Sequence, residues 1–278
     1  MGDSFVHGLP LILLLVGLGF LSGGYGTLVG IGGAVLLTPM LLMLYPQAEP
    51  QVLTSITMGV VLLNSLSGTV AYARQKRIDY RNGIYFAIAT IPGTVIGVLI
   101  LRFIPQQVFT FIFGIMLLIF SSAIWLRPKF KAAYDSSGQD NYVLADRFSV
   151  RYSYNCNRLQ GMAYSCVVGF IAGLLGIGGG IIHMPMLLYM LHFPVHIATA
   201  TSQFMLVFTG TTGTLAHVTA GTYAQSWQIL LWLALGVIPG AQVGAWLSPR
   251  IKGLILVRLL ALALVLAGVR LVILGIWS

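Results

Sequence analysis

Acidic residues are nearly missing from this chain. There are six, Asp3, Glu49, Asp79, Asp135, Asp140 and Asp146, and residues 147–278 contain none. Charged residues of both signs make up 8% of the sequence, against about 25% in a soluble domain. That shortage excludes a water-facing globule. It also excludes a carboxylate proton relay inside the apolar segments, because none of the six falls within one. Cysteine is scarce too. Cys156 and Cys166 are too few for a disulfide framework and lack the C-x-x-C spacing of a redox or metal motif. Lys and Arg are absent before Arg74, so the apolar start has no positive leader of the signal-peptide kind and reads as a retained first helix.

What is abundant is apolar length: 58% of the residues are hydrophobic. A bilayer core needs roughly 20 apolar residues per helix. Segments 52–73, 82–101, 106–126, 197–219, 227–247 and 253–276 read as spans, and 9–45 and 159–191 as longer, interrupted ones. The net charge of +9 does not indicate nucleic acid, because the basic residues sit at segment ends rather than along one face. Arg74, Lys76, Arg77 and Arg81 cluster in one loop. Segment 127–158 holds Arg127, Lys129, Lys131, Arg147, Arg151 and Arg158 against three acids. By the positive-inside rule both loops are cytoplasmic, and both termini are expected outside. Trp125, Trp227, Trp246 and Trp277 fall near span ends, where an aromatic belt lies.

The chain also repeats itself. Gly30-Ile31-Gly32-Gly33 matches Gly176-Ile177-Gly178-Gly179, each followed by a proline, Pro39 or Pro185. Thr54, Thr57, Asn64 and Gly68 match Thr199, Ser202, Thr209 and Gly213. Gly93 and Gly97 match Gly240 and Gly244. The expected architecture is an all-α polytopic membrane protein of two inverted repeats, each a broken helical hairpin plus three spanning helices. Repeat 1 covers 1–127, a cytoplasmic linker 128–158, and repeat 2 covers 159–278. The linker reads as a solvated connector whose tail, 147–155, alternates apolar and polar residues as an extended piece does. An odd number of crossings per repeat makes duplication invert the second copy, an arrangement that marks secondary transporters.

The repeated glycines sit before segments too short to cross the membrane, so their backbone must lie deep. Irregular backbone survives there only against protein or beside a cavity. A helix N-terminus carries roughly +0.5 charge and free N–H groups, which suit an anion. Gly30, Gly32, Gly33, Gly176, Gly178, Gly179 and Gly180 are therefore candidate substrate-binding positions, joined by Thr57, Asn64, Ser202 and Thr209 on the polar stripes. If the glycines were only weak points in a helix, alanine there should be neutral or stabilising, since it is the better helix former by about 0.8–1.0 kcal/mol. The alternative for the stripes is hydrogen bonding between helices, and for Gly93, Gly97, Gly240 and Gly244 it is close helix packing. His183 and His217 lie in apolar segments and are candidates either for proton coupling or for helix-to-helix bonds. No metal or cofactor is expected, and no enzymatic site emerges.

With "GFLSGGYGTLVGIGGAVLLTP" and "GFIAGLLGIGGGIIHMP" on view, each followed by a Thr/Ser-rich and a Pro-Gly segment, the chain resembles the sulfite exporter TauE/SafE family. It departs at Ala34, where the second copy has Gly180, and in the spacing around Tyr25-Gly26-Thr27. The resemblance implies transport, in that family's sense export, of sulfur-containing anions such as sulfite or organosulfonates across a bacterial-type inner membrane. A passive anion channel and a membrane scaffold or thiol-handling factor are the rival classes. A homo-oligomer stays open.

Overall fold

The computed structural model describes residues 8–45, 48–126, 142–147, 149–154 and 156–251, with scattered positions between 258 and 273. Those scattered positions are helical, and the expected span 253–276 otherwise lies outside the described residues, as do all of residues 127–141. The elements are α1 (Leu9–Val29), α2 (Ala34–Leu44), α3 (Pro50–Arg74), α4 (Tyr80–Leu101), α5 (Gln106–Leu126), β1 (Tyr142–Ala145), β2 (Arg151–Tyr154), α6 (Arg158–Leu175), α7 (Gly180–Pro185), α8 (Val195–Thr219) and α9 (Trp227–Leu247). A π-helical turn, Met186–Met190, continues α7.

Local chemistry sets the helix ends. Pro50 begins α3, where a missing N–H costs nothing. Asp79 caps α4 by accepting from the Asn82 N–H, and Asn157 caps α6 by accepting from Gln160 N–H. Gly30 and Gly176 close α1 and α6 in the left-handed conformation that glycine adopts without a Cβ penalty.

Among the described residues five helices, Leu9–Val29, Pro50–Arg74, Tyr80–Leu101, Arg158–Leu175 and the Trp227–Arg250 run, are long and apolar enough to cross a membrane. Large apolar side chains face outward along them, among them Leu13, Ile88, Ile96, Leu99, Val167 and Leu235. In water such surface would be an aggregation hazard; in lipid it is the solvated face.

Two helix pairs pack backbone to backbone. A Cβ at Gly93 or Gly97 of α4 would strike the carbonyl of Cys166 or Phe170 in α6, and one at Gly169 or Gly173 would strike Thr90 or Thr94 in return. Likewise Gly236, Gly240 and Gly244 of α9 face the carbonyls of Val16, Phe20 and Gly24 in α1. Without a hydrophobic drive between helices in lipid, such close approach is what holds them. These four repeated glycines serve packing.

The linker differs from the solvated connector expected of it. Its described part is an antiparallel hairpin, with Tyr142 opposite Tyr154 and Ala145 opposite Arg151. The hairpin adds the only two strands among the described residues, which are otherwise helical apart from turns and loops. It is docked on the α3–α4 turn. Asp146 Oδ2 accepts from Arg77 Nε at 3.1 Å and Nη2 at 2.9 Å, with both side chains almost fully buried. Tyr154 donates to Asp79 Oδ2 at 2.7 Å and stacks near Phe193, centroids 4.6 Å apart. Arg147 N–H donates to the Gln75 carbonyl. The reason is satisfaction of charge: Arg77 and Asp79 cannot stay buried without partners, and the hairpin supplies them.

Candidate functional site

The glycine loops between α1 and α2 and between α6 and α7 meet at the centre of the fold. Position 180 leaves no room for a Cβ, since the Ile31 backbone would stand 2.6 Å away. Ile31 and Ile177 are 0% exposed, so both loops are enclosed by protein. Their surroundings are reciprocal. Gly30 lies against Thr199 of α8, and Gly176 against Thr54 of α3, positions that match one another in the repeat. Gly32 and Gly178 both pack under the side chains of Val61 and Leu206.

Gly30, Gly32, Gly33, Gly176, Gly178 and Gly179 all have φ between +68° and +85°. This changes what alanine can report. A side chain at any of the six is strained whether or not an anion binds, and at Gly33 a Cβ would also stand 2.8 Å from the Ser22 carbonyl oxygen. The expectation that alanine would be neutral or stabilising at a mere weak point therefore does not hold.

The two loops spend their N–H groups differently. Gly30, Ile31 and Gly32 all donate back to the Gly26 carbonyl, closing α1. That leaves the N–H groups of Gly33, Ala34 and Val35 at the start of α2 without a backbone acceptor among the described residues. In the second loop only Gly176 N–H turns back, to Ala172, and those of Ile177 to Ile181 have no backbone acceptor among the described residues. The second loop is the richer in free donors. His183 stands beside it: the ring Nδ1 lies 3.2 Å from where a Gly179 Cβ would be, and neither ring nitrogen has a hydrogen-bond partner among the described residues. His217 lies apart, at the far end of α8, with Nδ1 3.3 Å from Thr222 Oγ1.

The stripe residues divide. Thr57 donates to the Leu53 and Thr54 carbonyls, and Thr209 to the Met205 carbonyl, each within its own helix. Ser202 donates across to the Gly30 carbonyl at 2.8 Å and so pins the first loop to α8. Asn64 Oδ1 accepts from Thr27 Oγ1 at 3.1 Å, while its Nδ2 has no partner among the described residues. The sequence reading missed Thr27 and Gln203. Gln203 Nε2 donates to Thr27 Oγ1 and to the Asn64 carbonyl, joining α8 to α1 and α3. An uncharged amide in an apolar segment was the available signal for Gln203. Its partners come from 139 and 176 residues away, which no local pattern reveals.

A bundle of apolar helices with enclosed, glycine-built breaks at its centre defines a polytopic membrane protein, and comparison with known proteins makes it a transporter. The sulfite exporter TauE/SafE family matches residues 15–271, and the chain belongs to that family. It is 30% identical over 272 residues to the probable membrane transporter protein YunE of Bacillus subtilis, covering 96% of this chain and 99% of that one. A probable membrane transporter protein of Methanocaldococcus jannaschii, MJ0441, is 26% identical over 259 residues, covering 88% and 89%. No solved structure matches significantly.

Proposed function

We propose that the protein is a secondary carrier that exports small sulfur-containing anions, such as sulfite or organosulfonates, and holds the anion at the N-terminal ends of α2 and α7. The observation that carries this reading is the meeting of two glycine loops at the centre of the fold, with N–H groups of Gly33 to Val35 and Ile177 to Ile181 left without backbone acceptors. α2 has 11 residues, about 16 Å of helix, so its start lies deep in a bilayer of about 30 Å. No buried Lys or Arg is needed, because two helix ends together supply about one positive charge. The reciprocal contacts Gly30–Thr199 and Gly176–Thr54 support two repeats related by exchange, and the loop charges support their inversion in a bacterial-type inner membrane. His183, beside the second loop, is the coupling candidate on this reading.

Purified protein in liposomes tests it. Saturable uptake with counterflow of sulfite, thiosulfate or sulfoacetate, and not of chloride, is the expected result. Flux that neither saturates nor counterflows would make the protein a channel. Because alanine strains the loops regardless, the informative loop measurement is the anion-dependent rise in stability, RT ln(1 + [L]/Kd), compared between wild type and Gly179→Ala. Gly179 is the mildest site, its nearest neighbours 3.1–3.2 Å from the added methyl.

A further inference from the structure

Asn64 and Gln203 are 0% exposed, and each amide has one end engaged and one end free. Both converge on Thr27 Oγ1, which donates to Asn64 Oδ1 at 3.1 Å and accepts from Gln203 Nε2 at 3.2 Å. The orientation of Gln203 is fixed, because Nε2 also donates to a carbonyl, that of Asn64, at 3.3 Å. That leaves the Asn64 Nδ2 donors and the Gln203 Oε1 acceptor unmet. Inside a membrane protein, unmet polar groups of this kind are costly; the same packing with apolar side chains would be free of that cost.

The mirror position shows what such packing looks like. Gln203 matches Met58 in the repeat, and Asn64 matches Thr209. Gly68 makes room for the Gln203 amide, where a Cβ would stand 2.7 Å from Nε2, and Gly213 makes the matching room for the Met58 sulfur. One side of the centre thus carries a thioether and a hydroxyl satisfied within its own helix, and the other carries two half-satisfied amides. The amides are also tied to the first glycine loop. Ser202, next to Gln203, donates to the Gly30 carbonyl, and Thr27 lies three residues before Gly30, about 4.5 Å along the helix.

We propose that Asn64, Gln203 and Thr27 form a second subsite beside the first glycine loop that takes a carbon-bound hydroxyl of the transported anion. The inference rests on the anion reading above and specifies the ligand's other end. A hydroxyl is the group that accepts from Asn64 Nδ2 and donates to Gln203 Oε1 at once. A bare sulfonate oxygen leaves Gln203 Oε1 unmet, and an ammonium leaves the Asn64 N–H groups unmet. The test is equilibrium binding to purified full-length protein, read by ligand-dependent thermal stabilisation, with 2-hydroxyethanesulfonate, ethanesulfonate and 2-aminoethanesulfonate as probes. Wild type should bind the hydroxy compound about tenfold more tightly than the other two, the value of one well-placed neutral hydrogen bond. Gln203→Met, which places the mirror residue there, should bring the hydroxy compound to the level of ethanesulfonate and leave ethanesulfonate unchanged. Equal binding of all three by wild type overturns the subsite with no variant needed. So does a Gln203→Met protein that keeps the preference, which would leave the amides to an ordered water. If none of the sulfonates stabilises wild type, the glycine-loop reading falls and the subsite with it; if they stabilise it without preference, the subsite alone falls.

Discussion

A single residue's partners decide what its loss does. Thr209 and Asn64 occupy matching positions, but Thr209 bonds only to the Met205 carbonyl of its own helix, whereas Asn64 accepts the Thr27 hydroxyl across the helix interface. Thr209→Val should therefore change stability by less than about 0.5 kcal/mol, since back-bonding threonines add little to a helix. Asn64→Ala strands a buried hydroxyl and should cost on the order of 1–3 kcal/mol. Thermal unfolding in detergent compares the two, and equal losses would contradict the network. Cys156 offers a second test at this scale. It precedes α6, and burial, with the Asp79 carboxylate adding to it, pushes its thiol from an ordinary value near 9 up to about 12. The folded state holds that proton longer than the unfolded chain does, so stability contributed by the thiol is lost as pH rises from about 9 toward 12. Alkylation of Cys156 should be negligible at pH 7–8 and should appear only above pH 10, as mass spectrometry of iodoacetamide-treated protein would reveal.

Among the elements, the β-hairpin carries the clearest prediction. It has four residues per strand and would be marginal alone. Docking gives it a buried ion pair, Arg77 with Asp146, plus the Tyr154–Asp79 bond. Arg77→Ala leaves the Asp146 carboxylate buried without its charge partner and should destabilise by about 3–5 kcal/mol, while a double change to Arg77→Met with Asp146→Leu should recover much of it. Chemical denaturation of the two variants checks this. Proteolysis within the hairpin strands Tyr142–Ala145 and Arg151–Tyr154 should also become faster in Arg77→Ala, because the hairpin would leave its dock. The packing of α1 on α9 and of α4 on α6 is less forgiving. A Cβ at Gly97 or Gly244 would strike the backbone carbonyl of Phe170 or Gly24 in the facing helix, so no rotamer relieves it.

For the whole molecule, orientation is the property to measure. With both native cysteines replaced by serine, Lys76→Cys should be labelled by a membrane-impermeant maleimide only from the cytoplasmic side. Lys76 suits this because it is exposed, whereas Asp79 in the same turn is buried as the α4 cap. Labelling from outside would overturn the orientation assigned from the loop charges. The enclosure of the glycine loops belongs to this scale too. A pocket of about 390 Å³ lies instead between the α2–α3 and α4–α5 turns, lined by Glu49, Arg102 and Gln106. The side chains of Val61 and Leu206 cover Gly32 and Gly178, so on the proposed reading they have to move apart to admit an anion, as in a carrier that changes shape.

Composition and repetition by themselves determined that the chain is a bundle of apolar helices and that its glycine and polar pattern occurs twice along the sequence. They also placed α1 to α9 to within a few residues, because hydropathy over 20 residues and glycine breaks are local properties. The placement of the GIGG loops between α1 and α2 and between α6 and α7 was legible for the same reason. Tertiary structure alone decided the rest. That Gly30 faces Thr199 and Gly176 faces Thr54, that Gln203 reaches Thr27, and that Asp146 buries itself against Arg77 all depend on residues at least 69 positions apart. Only the packing of one half on the other fixes which of several buried polar groups find a partner. In a medium without water to satisfy the remainder, that choice separates Thr57 and Thr209, closed on their own helices, from Asn64 and Gln203, each left with an amide end to offer.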